Sequence, residues 1–278
     1  MRTVDRPETG AGAAFSLCIQ RVKSAELKAR LTAIKPDVEA AAEDCALHAE
    51  SESLQLCSAH TSVGSVSAAE LSNVYTGRMA KLGAPGRILY DELLASPKGG
   101  ICPLCGHRQV GTLDHFLPKE SFPSLVVAPD NLIPACSDCN KTKHNHVPTL
   151  PSEVTIHPYF DDLSDDTWLE ARVIQTKPAA VSFHVAEPLG WSSLMATRAR
   201  YHFDLFKLPS LYSAQAASEL SGIRFALATV NGSDGADGVK RHLTLQAKSR
   251  RRASRNSWQT ATYQALADSP WFCAGGFT

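Results

Sequence analysis

Apolar residues recur at three- and four-residue steps in two stretches near the amino end, SLCIQRVKSAELKARLTAI (16–34) and DVEAAAEDCALHAESESLQL (37–56). That spacing lines one face of an α-helix, and Pro36, which has no N–H to donate, predicts a boundary between the two. TSVGSV (61–66) reads as a loop, a third helix starts near Ser67, and a fourth near Pro85 ends at PKGG (97–100). The first hundred residues therefore read as helical.

From Ile101 to about Val147 the periodicity gives way to cysteines, histidines, glycines and prolines. A stretch with so little apolar pattern is expected to be held by metal rather than by a core of its own. ARVIQT (171–176) and AVSFHVAE (180–187) carry the β-branched residues of a small antiparallel element. Beyond Trp191 the helical pattern returns, with NGSDGADG (231–238) expected as the loop between the last two helices. There is no internal repeat. The expected fold is α+β and mainly helical, divided into an N-terminal helical region (1–98), a central cassette (99–150) and a small β element with C-terminal helices (151–278).

A chain of 278 residues with 44% hydrophobic content can bury a sizeable core. No stretch approaches the roughly 18 consecutive apolar residues of a membrane span, and the amino end has no signal-peptide pattern, so a cytoplasmic protein without a membrane partner is expected. Lys and Arg balance Asp and Glu at 28 each, which excludes an argument from net charge. The distribution is uneven. Pro36 to Gly77 holds seven acids and no Lys or Arg, whereas Gly238 to Ala267 holds seven Lys or Arg and no acid, a polarity that suits nucleic-acid contact at the basic end or simply a solvated face.

A cytoplasmic compartment keeps thiols reduced, so eight cysteines do not imply disulfides. Cys18, Cys45, Cys57 and Cys273 are scattered and read as small buried hydrophobes. Cys102 and Cys105 in CPLC and Cys136 and Cys139 in CSDC are different, since two such knuckles supply the four thiolates of a tetrahedral structural zinc. A site closed by four thiolates has no open position for catalysis.

Between and just after the knuckles lie LDHFLPK, DNLIP and CNKTKHNH. This order, Cys-x-x-Cys, Asp-His, Asn, Cys-x-x-Cys-Asn, resembles the HNH nuclease family, which implies a ββα-metal fold gripping one divalent cation. By that resemblance His115 takes the place of the general base and Asp114 that of a metal ligand. Asn131 takes the middle position, which ties down the loop and orients the base, and Asn140 that of a second metal ligand. The residue types are chemically coherent with this. Phosphodiester hydrolysis needs a base for water and a cation for the developing charge, and hard oxygen ligands suit Mg2+ or Mn2+. His144 stands four residues after Asn140, on the same face if the segment is helical. It either joins the metal, favouring transition ions, or ends the helix, and the spacing admits both. Lys119, Lys141 and Lys143 are candidates for holding a phosphate backbone or are exposed lysines on a short helix.

More of the chain, through IHPYFDD, WLEARV and RARYHFDLFKL with the leader YDELL, resembles the HNH subunit of Septu antiphage defence systems and retron-associated relatives. That resemblance implies an ABC- or SMC-like ATPase partner; the residues themselves do not point to one, and with no phosphate-binding glycine loop in this chain any nucleotide would be bound elsewhere. The expectation is a DNA-cutting, metal-dependent nuclease leaving 5′-phosphate ends. Its rivals are a stand-alone restriction or toxin nuclease and a non-catalytic zinc module that grips nucleic acid.

Overall fold

The computed structural model describes residues 1–278 and divides into two compact units, Met1–Asp162 and Leu163–Thr278. The cassette therefore shares one unit with the N-terminal helices, where the sequence reading gave each its own region.

Unit one opens with α1 (Ala11–Ile19), α2 (Ala25–Ala33) and α3 (Lys35–Glu50). Three helices stand where the periodicity predicts two. The first break comes at Ser24, whose hydroxyl accepts from Leu27 N and caps α2. Pro36 falls in the first turn of α3, where its missing N–H costs nothing. A short hairpin, β1 (Ser62–Val63) with β2 (Val66–Ser67), leads into α4 (Ala68–Arg78), which starts on a reciprocal capping box between Ser67 and Glu70. After α5 (Arg87–Ala95) comes the cassette: β3 (Thr112–His115) pairs antiparallel with β4 (Leu132–Ala135), and α6 (Ser137–Lys143) follows.

The register sets Asp114 opposite Ile133 and His115 opposite Leu132. Leu113, Val126, Val127 and Leu132 of the cassette belong to the same buried cluster as Phe15, Leu31, Leu71, Val74 and Leu89 of the helices. Burying four such side chains contributes roughly 6–12 kcal/mol before entropy is counted. The expectation that metal alone holds the cassette is thus corrected, because its hairpin is also nailed to the helical core.

Unit two pairs β5 (Leu169–Ile174) with β6 (Ala180–Val185) over their full length. Val181 and Phe183 alternate inward, and Phe183 packs edge-on against Tyr212, ring centroids 5.6 Å apart. The helices are α7 (Ser193–Leu205), α8 (Leu208–Ala253) and α9 (Trp258–Ala267). Within α8 the break expected at NGSDGADG is a kink at Gly235, at φ 63° and ψ −164°, where two helical segments meet without an extended loop. The C-terminal helix expected over 239–267 is instead split at Ser254–Ser257, where Asn256 turns inward. Its side-chain oxygen accepts from Trp168 N and Leu169 N, and its amide donates to the Leu163 and Asp166 carbonyls. No helix is long and apolar enough to cross a membrane.

Candidate active site

The first knuckle is a tight turn. Gly106 N donates to the Cys102 carbonyl with Gly106 at φ 60°, and Arg108 N donates to Cys105 Sγ at 3.4 Å. The second is a helix start, Cys136 capping α6 by accepting from Cys139 N at 3.4 Å. Together they bring the four Sγ atoms within 4.8 Å of one another, with Cys105 and Cys136 4.0 Å apart. A tetrahedron with Zn–S bonds of about 2.3 Å has edges of about 3.8 Å, so the cluster fits zinc. Thiols this close divide their protons unequally. The Cys102 thiol helps pull Cys105 well down and Cys136 to about 7, while Cys102 and Cys139 are pushed up. A divalent cation would resolve that competition by taking all four as thiolates.

The hairpin and α6 form a second feature. Asp114, His115, Asn140, Lys119, Lys141 and His144 all line a cleft of about 360 Å³, which Tyr75 of α4 closes from the helical side. Asp114 and His115 sit on its floor, 4% and 8% exposed.

His115 is held in one tautomer. Its Nε2 lies 2.9 Å from the Val126 carbonyl, which can only accept, so Nε2 carries the proton and Nδ1 keeps its lone pair. Burial pushes the imidazole down to about 4, so it is neutral at pH 7. The ring of Tyr75 stands edge-on to it, centroids 4.5 Å apart.

Asp114 meets an unexpected partner. Lys143 Nζ lies 3.3 Å and 3.2 Å from its two carboxylate oxygens and 2.7 Å from the His115 carbonyl. Both side chains are almost fully buried, at 3% and 5% exposure. Burial nevertheless pushes the carboxyl up to about 6, against the opposing pull of Lys143. Both sequence readings of Lys143, a phosphate contact or an exposed lysine, are corrected by this geometry. Oδ2 makes no hydrogen bond, leaving a buried hard acceptor of the kind a divalent cation takes.

Asn131 lies outside the cleft. Its Oδ1 accepts from Leu117 N at 2.8 Å, and its amide donates to the Leu117 and Leu125 carbonyls at 3.0 and 3.3 Å. It clamps both ends of the loop that precedes Val126. Asn140 and His144 both face the cleft, but His144 ends α6 at φ 49° and its Nδ1 accepts from Asn145 N at 2.6 Å. In neutral imidazole that leaves the proton on Nε2. Tyr75 and Val126 were not picked out from sequence, since the first belongs to a distant helix and the second acts through its backbone; Lys143 was picked out, but its role as the partner of Asp114 takes its meaning from burial alone.

An antiparallel strand pair and a following helix, tied by four thiols and gathering Asp, His and Asn at one cleft, define a zinc-fitting ββα cassette. Residues 102–146 match the HNH endonuclease family model, and this stretch is an HNH domain. The chain is also similar to Protein ea31 of Escherichia phage lambda, 33% identical over 165 residues that make up 58% of this chain and 55% of that protein. It is similar to Septu protein PtuB of Bacillus thuringiensis, 38% identical over 64 residues, 23% of this chain and 24% of that protein. The chain thus spans about half the length of the first relative and about a quarter of the second. No solved structure matches it.

Proposed function

We propose that this protein is a metal-dependent endonuclease that hydrolyses DNA phosphodiester bonds at the cleft floored by Asp114 and His115. The observation that carries the reading is the locked tautomer of His115, an imidazole with a free Nδ1 at the floor of a cleft beside a buried carboxylate.

His115 Nδ1 takes the proton of an attacking water, and the Val126 carbonyl holds Nε2–H so that the ring cannot turn away as charge develops. Asn131 acts at one remove, fixing the loop that presents Val126, which makes it a positioning residue. Asp114 and Asn140 would hold Mg2+ or Mn2+, which when bound neutralises charge on the scissile phosphate and the leaving oxygen. Lys143 keeps the Asp114 carboxylate ionised and aimed while no metal is there. His144, proposed from sequence as a third ligand, is better suited by its Nε2–H to donate to a phosphate oxygen, with Lys119 and Lys141 as point charges at the rim. The four cysteines would hold zinc as a structural brace. The similarity to Septu protein PtuB supports a place in antiphage defence beside an ATPase partner.

Supercoiled plasmid incubated with the zinc-loaded protein should be nicked or linearised when Mg2+ or Mn2+ is added and left intact without it. Asp114→Asn should raise the metal concentration needed at least tenfold. Cleavage that proceeds equally without added divalent cation overturns the reading.

A further inference from the structure

The basic run of unit two is sorted by the helix that carries it. At 100° per residue, Lys240, Arg241, Lys248, Arg251 and Arg252 fall within an arc of about 120° on α8. Val239, Leu243 and Ala247, at most 1% exposed, mark a separate inward stripe centred about 120° away. Arg250 falls with that stripe, and it alone of the run is consumed internally. It lies 3.5 Å from Glu219 and stacks 3.9 Å over the Tyr263 ring. The five on the outer arc and Arg255 beyond it are exposed, and none of them is in an ion pair. Arg251 spends one N–H on the neutral Gln264 amide.

We propose that this outward face of α8 binds the phosphate backbone of duplex DNA. At 1.5 Å per residue, Lys240 and Arg252 are about 18 Å apart along the axis, a length over which B-DNA carries roughly ten phosphate charges, about half of them on the near strand. Five cations on that length match five near phosphates. The face has the composition of a backbone reader and not of a protein interface. Lys240, Arg241, Thr244 and Lys248 surround a single exposed leucine, Leu245, along a shallow depression of about 310 Å³, with no aromatic anchor and no apolar centre. No carboxylate lies within the segment from Gly238 to Ala267, which Asp237 and Asp268 flank. Contacts of this kind are blind to base sequence, so the face would supply affinity while the cleft of unit one supplies chemistry. The proposal extends the reading of the protein as DNA-acting, and it is measured by binding, which stands or falls independently of cleavage.

The test is fluorescence anisotropy of the full chain, carrying His115→Ala and without added Mg2+, on a labelled DNA duplex across a salt series. The triple variant R241Q/K248Q/R252Q should bind at least tenfold more weakly at moderate salt. Its plot of log affinity against log salt should be shallower by about 2.7, since each neutralised phosphate contributes about 0.9. The charge-keeping variant R241K/R252K should retain the slope, and K23Q/K81Q/K98Q, which removes exposed charge elsewhere, should leave affinity unchanged. An unchanged thermal midpoint in the triple variant shows that the helix is intact. Equal affinity and slope in the triple variant overturn the proposal. So does a loss confined to an RNA duplex or to phosphatidylserine vesicles with DNA binding untouched, because the face would then serve a different partner.

Discussion

Lys143→Met removes one ammonium and keeps the length of the side chain. In the native protein that ammonium donates to one oxygen of a carboxylate 5% exposed, lies 3.2 Å from the other, and donates to the carbonyl of the next residue. Taking one partner from a buried ion pair leaves the other charge unpaired and costs about 3–5 kcal/mol, more than the pair itself is worth. The carboxylate has one escape, which is to take up a proton. It already holds its proton up to about pH 6, above its ordinary value near 4, and without Lys143 that folded-state value rises further. A carboxyl with a raised folded pKa loses stability as pH increases through the interval between the unfolded and folded values. The cost of Lys143→Met should therefore be about 4 kcal/mol at pH 8 and shrink to about 1–2 kcal/mol at pH 5. Adding Asp114→Asn should recover most of the loss at pH 8. All four tryptophans lie in unit two, so their fluorescence reports that unit alone, while far-ultraviolet circular dichroism reports both. Urea unfolding followed by the two signals at each pH isolates unit one. A loss below about 1 kcal/mol, or the same loss at both pH values, would refute the reasoning.

Three further outcomes follow from the same geometry. His115 is pushed down from its ordinary 6.5 to about 4, so it contributes stability that is complete above pH 6.5 and lost as pH falls toward 4. His115→Gln should relieve about 3 kcal/mol of acid destabilisation across that window, read as a smaller drop in urea midpoint between pH 7 and pH 4. Asn131→Ala deletes three loop hydrogen bonds and should cost about 2–3 kcal/mol, with faster amide exchange around Val126 while bound zinc, measured by elemental analysis, stays in place. Cys139→Ser should lose the zinc by the same measurement and fray α6, yet leave the hairpin's protection against exchange largely intact because Leu113 and Leu132 remain in the helical core. Collapse of all unit-one protection in that variant would show that metal outweighs burial after all.

The parts of the site that could be read in the sequence are those whose meaning lies in residue type and spacing. Four cysteines as two knuckles, with Asp114-His115 between them and Asn140 after them, announce a metal cassette before any coordinates, because few other functions need those groups together. Lys143 was readable only as one lysine among three, since burial comes from α6 lying against β3, a contact between residues 28 and 29 apart in sequence. The Val126 carbonyl was invisible because every residue has one. The helical regions were legible in kind and in part of their joints. Pro36 marks the boundary between α2 and α3 and Gly235 the kink within α8, whereas the break at Ser24 and the turn at Ser254–Ser257 carry no glycine or proline to announce them.

The central claim, that the His115 imidazole drives chemistry in the cleft, is tested most directly by the plasmid cleavage rates of the wild-type protein and His115→Ala under Mn2+, with zinc content and DNA affinity shown to be equal. Loss of a general base costs on the order of 10²–10⁴ in rate, so the variant should cut at least a hundredfold more slowly. Equal cleavage by the two proteins would contradict the account.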